Sequence, residues 1–336
     1  MERQHDHVHF WTRQAGATDS WDPDADPHRH LTAYGHAFLE LFQRMRSEGR
    51  RVSIGHRPPT GTTSVVTAME ELIAHQPQIP ARNIARLGLA LLPMLGRPPS
   101  IVVLRVDTWH NVAAPEFVTL EAMPTRGSQT TPRQRALPLL PQRGLVPRNE
   151  ARGDRVETVA LKAYSYNIPS WIDDDFVRAL EGSGMRLRVD TELSGRWADF
   201  ENVDVVLCTH AEGTDERVKP PTKLVAAWRA GVIPVCGPYL GYREVGEPGE
   251  NMVVARADAE SFLAALRALR DDPALVRRLR QAIPRAAADY APERVVDANW
   301  RAFTEAPAVE RWALVRAVAR ALPIALVGRL RRFLAR

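Results

Sequence analysis

Residues 219 to 254, KPPTKLVAAWRAGVIPVCGPYLGYREVGEPGENMVV, read as a helix, an apolar strand, a glycine-rich loop and a second strand in close succession. Open parallel α/β sheets are built in that order, and their ligands sit at the carboxyl ends of the strands. The helix begins after Pro220 and Pro221, where missing N–H groups cost nothing in a first turn, and it carries Leu224, Ala227 and Trp228 on one face. Gly231 ends it. Val232 to Cys236 is an apolar run of the kind buried in parallel sheets, and Gly237-Pro238 with Gly241 opens a loop that delivers Tyr242, Arg243 and Glu244. Lys219 and Lys223 flank the helix start, where unpaired N–H groups and the macrodipole favour an anion. Taken singly, the lysines also suit solvated helix-end charges and Glu244 a surface residue; the cluster is what points to a ligand.

The order and spacing of these residues resemble the nucleotide-sugar half of glycosyltransferases with the GT-B fold (families 1 and 4 in style), in which two Rossmann-like domains face a cleft. The resemblance covers roughly residues 156 to 302 and is best over 219 to 254. In that family a Lys-Leu opens the helix, a Gly-x-Pro-Val turn follows, and a Gly-x-x-Glu-Val loop precedes Asn-Gly-x-x-Val. The corresponding residues here are Lys223-Leu224, Gly231 to Val235 (one residue longer than that turn), Gly241 to Val245, and Asn251 to Val254, with Met252 at the glycine position and one residue fewer before the Val. Many retaining members hold the donor ribose with a Glu on this helix and a second carboxylate eight residues earlier; this chain has Ala226 and Val218 there. It is similar instead to a branch with a Lys-Pro-x-Thr-Lys-Leu-x-x-Ala-Trp signature, met by Lys219, Pro220, Thr222, Lys223, Leu224, Ala227 and Trp228.

A chain of 336 residues, 45% hydrophobic, is long enough for two packed cores. Its two cysteines, Cys208 and Cys236, lie in strand-like apolar runs, which fits buried thiols in a reducing compartment rather than a disulfide or metal framework. The opening MERQHDHVHF has neither a basic start nor an apolar stretch, and no run of eighteen apolar residues occurs, so the expected location is cytoplasmic. The net charge of +5 comes mostly from arginine, without a helix-turn-helix, zinc-finger or RNA-binding signature, so nucleic acid is not an expected partner.

The alternation of His5, His7 and His9 places them on one face of a strand, as a polar face rather than a zinc set, because a fourth ligand is lacking. Residues 32 to 49 follow as an amphipathic helix with Tyr34, Phe38, Leu41, Phe42 and Met45, and Arg51 to Ile54 as a strand. Residues 64 to 75 and 81 to 95 carry two further helical patterns, and Ile101 to Val106 is a β-branched strand. At its carboxyl end Asp107, Trp109 and His110 form the most catalytic-looking cluster of the first half, with Asp107 or His110 as candidate base. The other reading of Asp107 is a turn cap beside a packed Trp109.

Residues 124 to 155, rich in Pro, Arg, Gly, Gln and Thr, read as the interdomain passage. The expected division is residues 1–150 for an acceptor domain, 151–305 for a nucleotide-sugar domain and 306–336 for a tail. In the second domain Val156 to Ala163 is a strand, Ser170 caps a helix over 171 to 181, residues 186 to 190 form a strand, and Val203 to Cys208 another that ends in Thr209-His210. Asn167 lies in the turn after the first of these strands. Asp258 or Ser261 caps the first of two closing helices, Pro273 separates the pair, and Trp300 and Phe303 pack a last helix back across the cleft. Residues 311 to 336 hold seven arginines and no acid among apolar residues, which suits a helix on an anionic membrane surface or one docked on the protein itself.

The fold class expected is therefore α/β, two Rossmann-like domains with a basic amphipathic C-terminal helical tail. The resemblance implies transfer of a sugar from a nucleotide-diphosphate sugar to a glycan, lipid-linked or small-molecule acceptor. It implies donor contacts from Asn167, Arg217, Lys219, Thr222, Lys223, Gly241, Tyr242 and Glu244, with cations rather than a metal or other cofactor offsetting the diphosphate charge. The missing carboxylates leave open a sugar-nucleotide-binding protein without turnover, and a sugar-nucleotide epimerase shares the scaffold.

Overall fold

The computed structural model describes residues 6–13, 21–27, 29, 35–72, 79–105, 113–191, 195–217, 219–320 and 323. The first half forms a sheet of β1 (Val8–Trp11), β2 (Val52–Gly55), β3 (Ser64–Ala68), β4 (Ser100–Leu104), β5 (Leu120–Met123) and β6 (Gln134–Ala136), in the order β2-β1-β3-β4-β5-β6. The second half forms a sheet of β7 (Thr158–Lys162), β8 (Arg186–Asp190), β9 (Val205–Cys208), β10 (Ile233–Cys236) and β11 (Val253–Val254), in the order β11-β10-β9-β7-β8. All strand pairings within both sheets are parallel. Each order reverses direction once, between β1 and β3 and between β7 and β9, and such switch points leave a crevice at the carboxyl ends of the strands.

β3 and β4 are buried at every position, as continuous β-branched runs are when helices cover both faces of a sheet. The helix expected over 64 to 75 is thereby corrected. Val65 and Val66 with Met69 and Leu72 fit a helical spacing, but pairing with β1 and β4 wins, and among the described residues of this span only α2 (Met69–Leu72) is helical. α1 (Glu40–Ser47) follows a wider turn over Gly35–Leu39 and packs Phe38 and Phe42 edge-on against Phe10, at 5.2 and 5.4 Å. α3 (Ile79–Leu91) covers the opposite face, where Leu87 and Leu91 are buried with Val65 and Ile101. His7 Nε2 and His9 Nδ1 both bond the Ser53 hydroxyl, at 2.8 and 2.9 Å, so this part of the histidine stripe is a polar strand face; His5 lies outside the described residues.

The second half runs α4 (Asp174–Glu181), α5 (Gly195–Ala198), α6 (Thr222–Arg229), α7 (Leu240–Val245), α8 (Ala259–Asp271) and α9 (Pro273–Ala288). Asp173, not Ser170, caps α4, accepting from the Phe176 N–H at 2.9 Å. Asp258 caps α8 as expected, and Asp272 caps α9 just ahead of Pro273. α10 (Pro292–Glu305) then returns to the first half, where Val295, Val296, Trp300 and Phe303 join the core around Phe10 and Phe42.

Residues 311–320 are helical and docked on the first sheet's other face. Val309, Leu314 and Val318 are buried there, and a Cβ on Gly88 would stand 2.1 Å from Val318 Cγ2, so a glycine admits the helix. Arg316 and Arg320 pair with Glu116 at the surface. This part of the tail thus meets the self-docking expectation, while Trp312 stays 67% exposed on the outer side. Residues 321–322 and 324–336 lie outside the described residues.

Asp204 ties the interdomain passage to the second sheet. Its carboxylate is fully buried and accepts from Arg148 at 2.8 Å, from Arg152 at 2.7 Å, and from the N–H groups of Glu157 and Thr158 at 3.0 Å each. Burial alone would raise its pKa; the hydrogen bonds outweigh that and hold it down to about 2.

Asp204→Asn leaves two guanidinium groups without their counter-charge and is expected to cost about 3–5 kcal/mol in urea unfolding. In the wild type this carboxylate's share of stability is complete above the ordinary carboxyl value of 3.8 and is lost as pH falls through about 2. Leu314→Ala is expected to cost about 2–5 kcal/mol, since that side chain belongs to the core; an unchanged unfolding midpoint would mean that the tail is not part of the fold.

Candidate functional site

The reversal between β7 and β9 brings the chain after each strand to one crevice, which α6 and α7 close. Asn167 follows β7 and His210 follows β9. The Asn167 amide accepts the Ala211 N–H at 3.4 Å and donates its nitrogen to His210 Nδ1 at 3.1 Å. That orientation leaves the ring proton on Nε2, which donates to the Tyr242 hydroxyl at 3.1 Å. The Tyr239 hydroxyl accepts the His210 backbone N–H at 3.0 Å, and its ring stands edge-on to the imidazole at 4.8 Å. His210 is 8% exposed. Burial first, then the charges of Lys223 and Lys219, drive its pKa far below the ordinary value, so the ring is neutral.

Lys223, on the first turn of α6, donates to the Thr209 carbonyl at 2.7 Å and so anchors the β9 exit. No side chain caps α6, and Thr222 is its first residue. The sequence placed Lys219, Lys223, Thr222, Tyr242 and Asn167 near one crevice, and the structure brings Asn167, Tyr242 and Lys223 onto the His210 loop. Arg217 points elsewhere: its guanidinium is 73% exposed and pairs with Asp215 at 2.9 Å.

Gly241 and Glu244 make contacts within the protein that their spacing did not suggest. They lie in a short helix, α7, rather than an open loop. A Cβ on Gly241 would stand 2.3 Å from the Lys219 carbonyl oxygen, so the glycine permits backbone-to-backbone approach within the protein. Glu244 accepts the N–H groups of Arg126 and Gly127, at 2.7 and 2.5 Å, and Thr125 donates to the Arg217 carbonyl at 3.1 Å. The turn after β5 is thereby fastened onto the second half, and beside this seam a cavity of about 350 Å³ is lined by Thr222, Val225 and Glu244 on one side and Thr125, Arg126 and Leu139 on the other.

Asp107 and His110 lie outside the described residues. At the first sheet's own switch point a polar cluster went unforeseen: buried Glu71 accepts from the Thr12 hydroxyl at 2.6 Å and from Arg13 Nε at 2.8 Å, and Arg13 also reaches Asn83 at 3.3 Å. His210 and Tyr239 were likewise missed as site residues; the signal for both was a polar residue two or three positions after an apolar strand. Tyr164 and Tyr166, at the β7 exit, stack at 5.3 Å, and Tyr166 is 79% exposed beside Asn167.

Three solved structures share this architecture. The Anabaena protein HepE in complex with UDP and glucose superposes with a TM-score of 0.52 at 10% identity, over 90% of this chain and 100% of that one. Sucrose-phosphate synthase from Thermosynechococcus elongatus gives 0.55 at 10% identity, over 89% and 98%. A glycosyltransferase from Rickettsia africae gives 0.52 at 7% identity, over the same shares. No protein-family model and no curated protein matches the sequence. The chain therefore has the GT-B fold, two parallel α/β halves with helices on both faces. No described helix is long and apolar enough to cross a membrane.

The buried histidine makes stability pH-dependent. Unfolded His210 gains a proton below its ordinary value of 6.5 while the folded ring refuses it, so stability is expected to fall as pH drops below 6.5. His9, held down to about 4, adds to the same slope. Urea midpoints at pH 7 and pH 5 measure it, and His210→Gln is expected to flatten the difference.

Proposed function

We propose that the chain transfers a sugar from a nucleotide-diphosphate sugar, with the donor in the crevice between β7, β9 and α6. The observation that carries this is the convergence, at the switch point of a GT-B second half, of the uncapped start of α6, Lys219, Lys223 and the Asn167–His210–Tyr242 network. The α6 N–H groups and the two lysines suit the diphosphate, whose negative charge grows as the bond from the anomeric carbon to the phosphate oxygen breaks. These cations take the part that a metal plays elsewhere.

Neutral His210 donates to the buried Tyr242 hydroxyl and so holds the loop after β9 against α7, which sets the floor of the crevice. The acceptor, a glycan, a lipid-linked glycan or a small molecule, enters from the first half. Its hydroxyl oxygen forms the new bond to the anomeric carbon. In an inverting reaction its proton goes to Asp107 or His110; in a retaining one it goes to the departing phosphate. A cytoplasmic setting, with the arginines and Trp312 of 311–336 against an anionic membrane face, suits a lipid-linked acceptor.

One observation favours a second reading, nucleotide-sugar binding without turnover: Glu244 is engaged by the backbone of 126 and 127, and Ala226 stands where many retaining members carry a carboxylate. Transfer or donor hydrolysis by the purified protein decides between the two. For the shared donor site, Lys219→Ala with Lys223→Ala is expected to weaken nucleotide-sugar binding by ~1.5–3 kcal/mol for each charged hydrogen bond removed, read by calorimetry. Unaltered binding of the nucleotide sugar that binds the wild type overturns the assignment.

A further inference from the structure

At the amino-terminal edge of the second sheet, opposite the crevice, one carboxylate stands among three guanidinium groups. Arg148 and Arg152 occupy both oxygens of Asp204, and two backbone N–H groups complete them. Arg280, from α9, leans against this saturated pair. Its Nη2 donates to the Arg155 carbonyl at 3.2 Å, while its Nε is buried without a hydrogen-bond partner. Burial, and next the charge of Arg148, lower its pKa to about 10.

The nearby acids do not complete the balance. Asp154 also lines the groove and its charge reaches Arg280, but the carboxylate is shared with Arg277 at 2.9 Å, and the Glu157 carboxylate stands 3.7 Å from Arg152. Glu150 lines the groove but is exposed to solvent. A groove of about 640 Å³ opens over the cluster, with Arg148, Gly153 and Arg280 on its polar side and Pro284 and Ala287 on its apolar side. A buried cation left under-compensated is costly, and a planar guanidinium is shaped to grip phosphate oxygens two at a time.

We propose that this groove binds a phosphate group, as the free ion or on a small phosphate ester, with Arg280 as the principal contact and Arg148 beside it. The site is separate from the donor crevice and does not depend on the reading of that crevice. Its occupant supplies the negative charge that Asp204 alone does not. The apolar wall gives an ester a place for its carbon part.

Thermal melts and calorimetry on the full chain test it, with inorganic phosphate and phenyl phosphate as probes against chloride at matched ionic strength. Both probes are expected to raise the wild-type melting temperature by mass action. Arg280→Met is expected to lose that rise and to weaken binding at least about tenfold, with Arg280→Lys between. In phosphate-free buffer Arg280→Met is expected to melt no lower than the wild type, since it removes an under-compensated cation, so the comparison does not depend on a damaged fold. Tighter phenyl phosphate assigns the site to an ester and equal affinity to the free ion; both support it. The proposal is overturned if the wild type does not respond, or if the response survives Arg280→Met, above all where Lys219→Ala removes it instead and so places the phosphate in the crevice.

Discussion

The Asp204 carboxylate lies where the passage from the first half, the start of β7 and the start of β9 meet, and its buried charge holds all three. It accepts the N–H groups at the head of β7 while itself leading into β9, which fixes the parallel register of Val159 with Val205 and of Ala160 with Val206. A slip of one residue would turn every side chain to the other face of the sheet. At the far end of the same two strands that register sets Asn167 within reach of His210. The geometry of the crevice is thus decided at the opposite edge of the sheet by a hydrogen-bonded carboxylate, and the pairing Cys208 with Cys236 carries the alignment on to β10.

Much of the second half could be read from the letters because its signals are local. Gly231 ends α6, Asp258 and Pro273 punctuate α8 and α9, and the strand over 186 to 190 has the predicted bounds. The first half was less legible. Val65, Val66, Met69 and Leu72 satisfy a helical spacing as well as a strand, and only pairing with residues far along the chain decides between them. Within the site, the order and spacing of residues located the crevice but not the work of each residue. Gly241 looks like a glycine kept for a ligand's approach; its neighbour is the Lys219 carbonyl. Glu244 looks like a sugar-orienting carboxylate; its partners are backbone groups 117 and 118 positions away, which no local pattern shows. In the sequence His210 is no more than part of the loop after a strand, because its meaning rests on burial and on the nearby charges of Lys223 and Lys219, both properties of the fold.

The tail illustrates how an amphipathic sequence underdetermines its surroundings. Apolar residues at helical spacing with arginines opposite fit a membrane surface and a protein surface equally. Here Gly88 removes the one side chain that would hold the helix away, and the apolar stripe of 309–318 fills the space beside Val65 and Ile101. The arginines then find Glu116 and solvent, and Trp312 is left outward.

The two faces of the first sheet are closed by α10 and by residues 309–318, which follow the entire second half in sequence. During synthesis the first half therefore leaves the ribosome with the core around Phe10, Phe42, Val65 and Ile101 covered by α1 and α3 alone until the last of these segments arrives. The second half, whose core draws on residues 145–290, is complete earlier. Order of synthesis and order of folding run opposite ways in this chain: the later half is the first able to finish, and the first half waits, exposed to aggregation, for residues translated last.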